Sequence, residues 1–123
     1  MKQVQKISDS EMEIMEIIWG SGGTASSTRI SASLSDTKSW KPSTVLTFLV
    51  RLAEKGVLSI AKNGKVNIYT ALVSKEDYIK LQTQNFLQTY HGGHIKSFIT
   101  TLLDSDDISQ SDIDELKKWF ADK

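Results

Sequence analysis

The chain has 123 residues and no cysteine, with 39% hydrophobic and 24% charged residues, and its 15 Lys/Arg and 15 Asp/Glu cancel. That composition excludes intrinsic disorder, a disulfide framework, a thiolate zinc or iron–sulfur centre and a thiol nucleophile, and it bounds the chain at one ordinary domain or two small ones. No apolar run approaches the roughly 18 residues of a membrane span, and Met1 to Lys6 lead into no signal-peptide core, so a cytoplasmic protein without stable membrane association is expected.

In chain order, Ser8-Asp9-Ser10-Glu11 has the S-x-x-E spacing of a capping box and predicts a helix from Asp9 to Trp19, with Met12, Ile14, Met15, Ile17, Ile18 and Trp19 as a wide apolar stripe. Gly20-Ser21-Gly22-Gly23 stops it. Thr24 and Ala25 are β-tolerant, and Ser26 can cap a second, serine-rich helix running to about Ser35. Pro42, the only proline, suits the first turn of a third helix reaching Lys55, whose core stripe is Val45, Phe48, Leu49 and Leu52. Lys55-Gly56 is a helix-stop signal. Residues 57–61 and 66–71 then read as strands bridged by Lys62-Asn63-Gly64-Lys65, with Asn-Gly as the hairpin signal. A cap-like Ser74-Lys75-Glu76-Asp77 opens a long helix to about Tyr90, ended by Gly92-Gly93. Ile95, Phe98, Ile99, Leu102 and Leu103 repeat at helical spacing, and Ser109 to Asp112 can cap a last helix.

Three helices followed by a hairpin is the order of a winged helix-turn-helix. The expected fold is mainly α with a small β-hairpin: an N-terminal winged helix over residues 1–73 and a helical dimerisation region over 74–123. Neutrality taken whole argues against nucleic acid as a partner, but charge is unevenly spread. Residues 1–73 carry nine cations and six anions, and residues 74–123 six and nine. Between Lys38 and Lys65, six cations face Glu54 alone. If the core stripe of the third helix points inward, Ser43, Thr44, Thr47, Val50 with Arg51, and Glu54 lie on or near its outward surface, with Leu46 exposed beside them. The hydroxyls and Arg51 suit phosphates or base edges, and Leu46 suits a thymine methyl. Lys38 and Lys41 before the helix, and Lys62, Asn63 and Lys65 on the wing, suit the backbone. Double-stranded DNA, palindromic to match a dimer, is the expected partner.

The second half offers Tyr78, Phe86, Leu87, Tyr90, Phe98, Ile99, Leu102, Leu103, Ile113, Leu116, Trp119 and Phe120 as apolar surface. About 50 residues make a poor independent core, so this surface either folds back on its own winged helix or pairs with a second copy. Two-fold symmetry on DNA favours the pair. His91-Gly92-Gly93-His94 reads as a turn, because its glycines hold the rings on no common face. Asp104, Asp106 and Asp107 read as a solvated acidic loop lacking the glycine and terminal glutamate of a calcium loop. No phosphate-loop, dinucleotide or nucleophile-elbow motif is present, and neither enzyme activity nor a cofactor is expected.

The segment from Trp40 to Gly56, together with Ile7-Ser8 through Ile17-Ile18-Trp19, the wing ending in Tyr69, and Tyr90-His91-Gly92-Gly93, resembles the BlaI/MecI family of penicillinase and methicillin-resistance transcriptional repressors. The resemblance covers nearly the whole chain. It implies a homodimeric repressor of β-lactam-resistance genes that contacts its operator through Ser43, Thr44, Thr47 and Arg51. Leu46 stands where staphylococcal members carry arginine, and Lys41 where a capping serine is found. The resemblance further implies relief of repression through a membrane sensor protease pathway that cuts the dimerisation tail. Aligned through Ser97, the cut falls at Thr101-Leu102, where the family's Asn-Phe pair is absent. The family's copper-responsive branch needs a cysteine hook, which this chain lacks. A same-family repressor of an unrelated operon, or a winged-helix adaptor for protein contacts, are the alternative readings.

Overall fold

A computed structural model describes residues 4–35 and 39–123. Nine elements follow one another: α1 (Asp9–Gly20), β1 (Thr24–Ser26), α2 (Ser27–Ser35), α3 (Pro42–Glu54), β2 (Leu58–Asn63), β3 (Val66–Ala71), α4 (Lys75–His91), α5 (Ile95–Asp104) and α6 (Gln110–Ala121). They divide into two compact units, Met1–Lys80 and Leu81–Lys123.

The first unit begins with the expected capping box, in which Glu11 N donates to Ser8 Oγ at 3.2 Å and Ser8 N to Glu11 Oε1 at 2.7 Å. Ile14, Met15 and Ile18 of α1 are fully buried, and Met12, Ile17 and Trp19 pack beside them. They meet Ile30 and Leu34 of α2 and Val45, Leu49 and Leu52 of α3, the inward stripe expected of that helix. Ser26 caps α2 as anticipated, its Oγ accepting from Arg29 N at 3.2 Å. At the end of α3, Gly56 has φ 79°, its N–H donates to Ala53 O, and Val57 N donates to Leu52 O. This is a Schellman closure whose apolar partners Leu52 and Val57 are both fully buried.

The sheet has three strands in the order β1-β3-β2, all antiparallel, where a two-stranded hairpin was expected. Thr24, Ala25 and Ser26 pair with Thr70, Tyr69 and Ile68, and Thr24 and Thr70 share a hydroxyl hydrogen bond at 3.2 Å. The hairpin turn is also shifted by one residue. Asn63 pairs with Val66, so Gly64 and Lys65 are its central residues. Only Gly64 has positive φ, at 69°, as a turn with glycine in the first central position requires.

The boundary between units lies seven residues beyond the expected one after Val73, because the first turn of α4 belongs to the winged helix. Tyr78, expected on the dimerisation surface, is instead buried. Its hydroxyl accepts from Ile7 N at 2.9 Å and its ring lies 5.9 Å from that of Trp19. Trp19 Nε1 in turn donates to Val73 O. In the second unit, α4 ends at His91 with Gly92 and Gly93 both at positive φ. His91 Nδ1 lies 2.9 Å from Ser97 Oγ, and Phe86 and His91 pack on Phe98 across the turn. Ser109 and Asp112 form the capping box of α6.

Candidate nucleic-acid interface

Burial of Val45, Leu49 and Leu52 fixes which side of α3 faces out. Ser43, Leu46, Thr47, Val50 and Arg51 are exposed, and Thr44 is half-buried at the flank. Phe48, expected in the core, is half-buried and packs on Trp40 with ring centres 5.4 Å apart. Thr47 Oγ1 donates to Ser43 O at 2.9 Å, which leaves its lone pairs free to accept. Lys41 occupies the N-cap position without a side-chain cap bond, and its side chain is exposed. At the wing, Lys62, Asn63 and Lys65 are exposed around the Gly64 turn. Lys38 lies outside the described residues.

One cation of the basic segment is diverted. Lys55 Nζ reaches Glu11 Oε1 at 2.6 Å, so its charge is met inside the protein, and Gln5 N donates to Lys55 O. Burial, the largest influence on the Glu11 carboxyl, pushes its pKa up, but the hydrogen bonds from Lys55 and Ser8 together outweigh it and hold the group below its ordinary value. Glu11 is also the only buried charged residue among those described, and its Oε2 has no partner there.

In the second unit, no residue of α5 or α6 is buried. Phe86, Tyr90, Leu103, Leu116, Trp119 and Phe120 are exposed, with Tyr90 at 68% and Phe120 at 67%. Leu87, Phe98, Ile99, Leu102 and Ile113 are half-buried. Thr101 and Leu102 lie within α5, where Ser105 N donates to Thr101 O and Thr101 Oγ1 to Ser97 O. Asp106, with φ 61°, and Asp107, which accepts from Ser105 Oγ, lie in a loop as expected, whereas Asp104 is the last residue of α5. No group of three or more His, Cys, Asp or Glu able to hold a metal ion occurs among the described residues, and no helix there is long and apolar enough to cross a membrane.

Against known proteins, residues 7–122 match the penicillinase repressor family model. The chain belongs to the penicillinase repressor family. Within that family it is 35% identical over 116 residues to a penicillinase repressor of Bacillus licheniformis, covering 94% of this chain and 90% of the relative. It is 32% identical over 118 residues to the methicillin resistance regulatory protein MecI of Staphylococcus aureus strain N315, covering 96% and 95%. Two solved structures resemble it at 38% identity, each covering 63% of this chain and 94% of the other. One is the DNA-binding domain of the repressor BlaI, with TM-score 0.56. The other is the monomeric form of B. licheniformis BlaI in complex with the blaP half-operator, with TM-score 0.53. The family's winged helix is thus the fold of the first unit. Two features escaped the sequence reading. Charge counting cannot show that Lys55 is paired, and Arg29 of α2, an exposed cation whose Nε donates to Ser21 Oγ at 2.7 Å, falls outside the basic segment.

Proposed function

We propose that the chain is a homodimeric, sequence-specific DNA-binding repressor of β-lactam-resistance genes. The carrying observation is the outward face of α3: hydroxyls and Arg51 are exposed on it because Leu49 and Leu52 are locked inward, and Lys41, Lys62 and Lys65 are exposed beside it in sequence and on the wing. Support comes from the BlaI domain's similarity and from the half-operator its relative binds. In this reading Ser43, Thr44, Leu46, Thr47 and Arg51 enter the major groove, while Lys38, Lys41, Lys62, Asn63 and Lys65 hold phosphates. Operator occupancy then blocks transcription in the cytoplasm.

The second unit supplies the dimer. Helices with no buried residue and with exposed Trp119, Phe120, Leu116 and Leu103 gain by covering that surface with a second copy. Two linked readers bind a palindrome with avidity that neither has alone. Repression is relieved when the tail dissociates or is cut at Thr101-Leu102 in response to a membrane sensor protease pathway. That bond lies inside a helix, so a protease reaches it only through local opening of α5.

The test is a fluorescence titration of the full chain with a duplex taken from upstream of its own gene. Neutralising several phosphates predicts a loss of roughly 10³-fold in affinity between about 50 and 200 mM salt. A protein-contact adaptor would show no saturable binding, and that result would refute the proposal.

A further inference from the structure

The outward surface of α3 is split lengthwise. Ser43, Thr47 and Arg51, four residues apart, form a polar row, bonded internally where Thr47 Oγ1 donates to Ser43 O. Beside it runs an apolar row, Leu46 and Val50, exposed to 48% and 41%. The core does not explain these two residues, since Val45, Leu49 and Leu52 fill it and are buried while Leu46 and Val50 lie outside that stripe. A solvated helix face does not explain them either, because two adjacent branched aliphatics give no solubility and Val50, being β-branched, is a weak helix former. Cations are exposed at Lys41, at Arg51 and on the wing at Lys62 and Lys65. A partner that takes up both the apolar row and this charge must carry apolar groups within a polyanionic frame.

The major groove of DNA provides that combination at one base. Thymine's C5 methyl is the only apolar group among the base edges displayed there. Residues four apart rise about 6 Å along a helix, and bases rise about 3.4 Å per step. A helix following the groove therefore sets Leu46 and Val50 over positions about two base pairs apart. We infer that Leu46 and Val50 are a paired thymine reader, each packing on one C5 methyl, while the Ser43–Thr47–Arg51 row contacts polar edges or phosphates. This deepens, and rests on, the DNA-binding reading above. Val50, β-branched and restricted at χ1, is the stiffer of the two. Burying one methyl corresponds to about fourfold in affinity.

The test begins by selecting a duplex from a random-sequence pool with the full-length chain. Each thymine of the enriched duplex is then replaced singly by deoxyuridine, which removes only the methyl group. The expected result is two positions about two base pairs apart in each half-site where uracil weakens binding about fourfold. The penalty at one position disappears in Leu46→Ala and at the other in Val50→Ala. Both side chains are exposed on a helix, and alanine is the better helix former, so the variants should fold; circular dichroism checks this. Enrichment of a sequence whose affinity is indifferent to uracil overturns the inference and leaves the DNA-binding reading standing. Penalties that persist unchanged in both variants also overturn it. Failure to enrich any sequence removes the DNA-binding reading and this inference together.

Discussion

Lys55 Nζ stands 2.6 Å from Glu11 Oε1, joining the first turn of α1 to the C-terminal cap of α3, the helix proposed to read DNA. The Glu11 side chain is 2% exposed and that of Lys55 28%. Removing the lysine therefore strands a buried carboxylate that already has one oxygen without a partner. Lys55→Ala is expected to cost about 2 kcal/mol, below the value for a fully buried pair because the ammonium is partly wet. Pairing it with Glu11→Met should recover part of the loss in urea unfolding. An additive double variant would show that the two groups are not coupled.

The same carboxyl gives a pH dependence. Its folded pKa lies below its ordinary value of 4.5, so the unfolded chain takes up a proton more readily than the folded one. The stabilisation is complete above the ordinary value and is lost as pH falls through the depressed one. Between pH 5 and 3, on the order of the unfolded carboxylate range, Tm should fall more steeply in the native chain than in Glu11→Gln. Equal slopes would assign the acid sensitivity to other carboxylates.

Much of the first unit, and the start of α6 in the second, could be read from local chemistry. Ser8 with Glu11, Ser26, Pro42 and Gly56, and Ser109 with Asp112, each sit where their own backbone preferences place them, and the period of Val45, Leu49 and Leu52 oriented the outward face of α3 correctly. What escaped was non-local. Three residues, Thr24 to Ser26, are too few to show a strand period, and β1 exists because β3 offers it an edge. Tyr78 carries the same apolar signal as its neighbours on α4, and only distant partners, the Ile7 N–H and the Trp19 ring, separate it from them. The position of Gly64 in its turn was also hidden, since Asn-Gly and Gly-Lys are both acceptable turn centres and the strand register decides.

Gly64 isolates backbone strain from packing. A Cβ there would meet nothing within 4 Å, yet φ is +69°. Gly64→Ala should cost about 1–2 kcal/mol, and Gly64→Asn less, because asparagine tolerates this region. Thermal unfolding of the two variants checks the order, and equal costs would point to something other than φ.

Arg51 tests how α3 is used. Arg51→Ala is expected to weaken operator binding by about 1–3 kcal/mol if the guanidinium grips a guanine. If it holds a phosphate instead, the variant should bind all sequences more weakly and reduce the slope of log affinity against log salt by about one. Full affinity in a folded variant would take Arg51 out of the interface.

Trp119 and Phe120 pack edge to face at 4.9 Å while exposing 52% and 67% of their surface. Replacing both with alanine should weaken self-association by about 10²-fold in sedimentation, as loss of aromatic anchors does, without lowering the helical signal of the first unit. Undiminished dimer formation would move the interface elsewhere in the second unit.

The short strand β1 also has a protective effect. By pairing with Ile68, Tyr69 and Thr70 it occupies the second edge of β3, whose backbone would otherwise template another chain's strand. The outer edges of the sheet are then β1, only three residues long, and β2, where exposed Lys62 places a like charge against any approaching copy. Three residues that run from a glycine stop up to and including a serine cap thus help keep the wing from joining edge to edge with its neighbours when many copies crowd together.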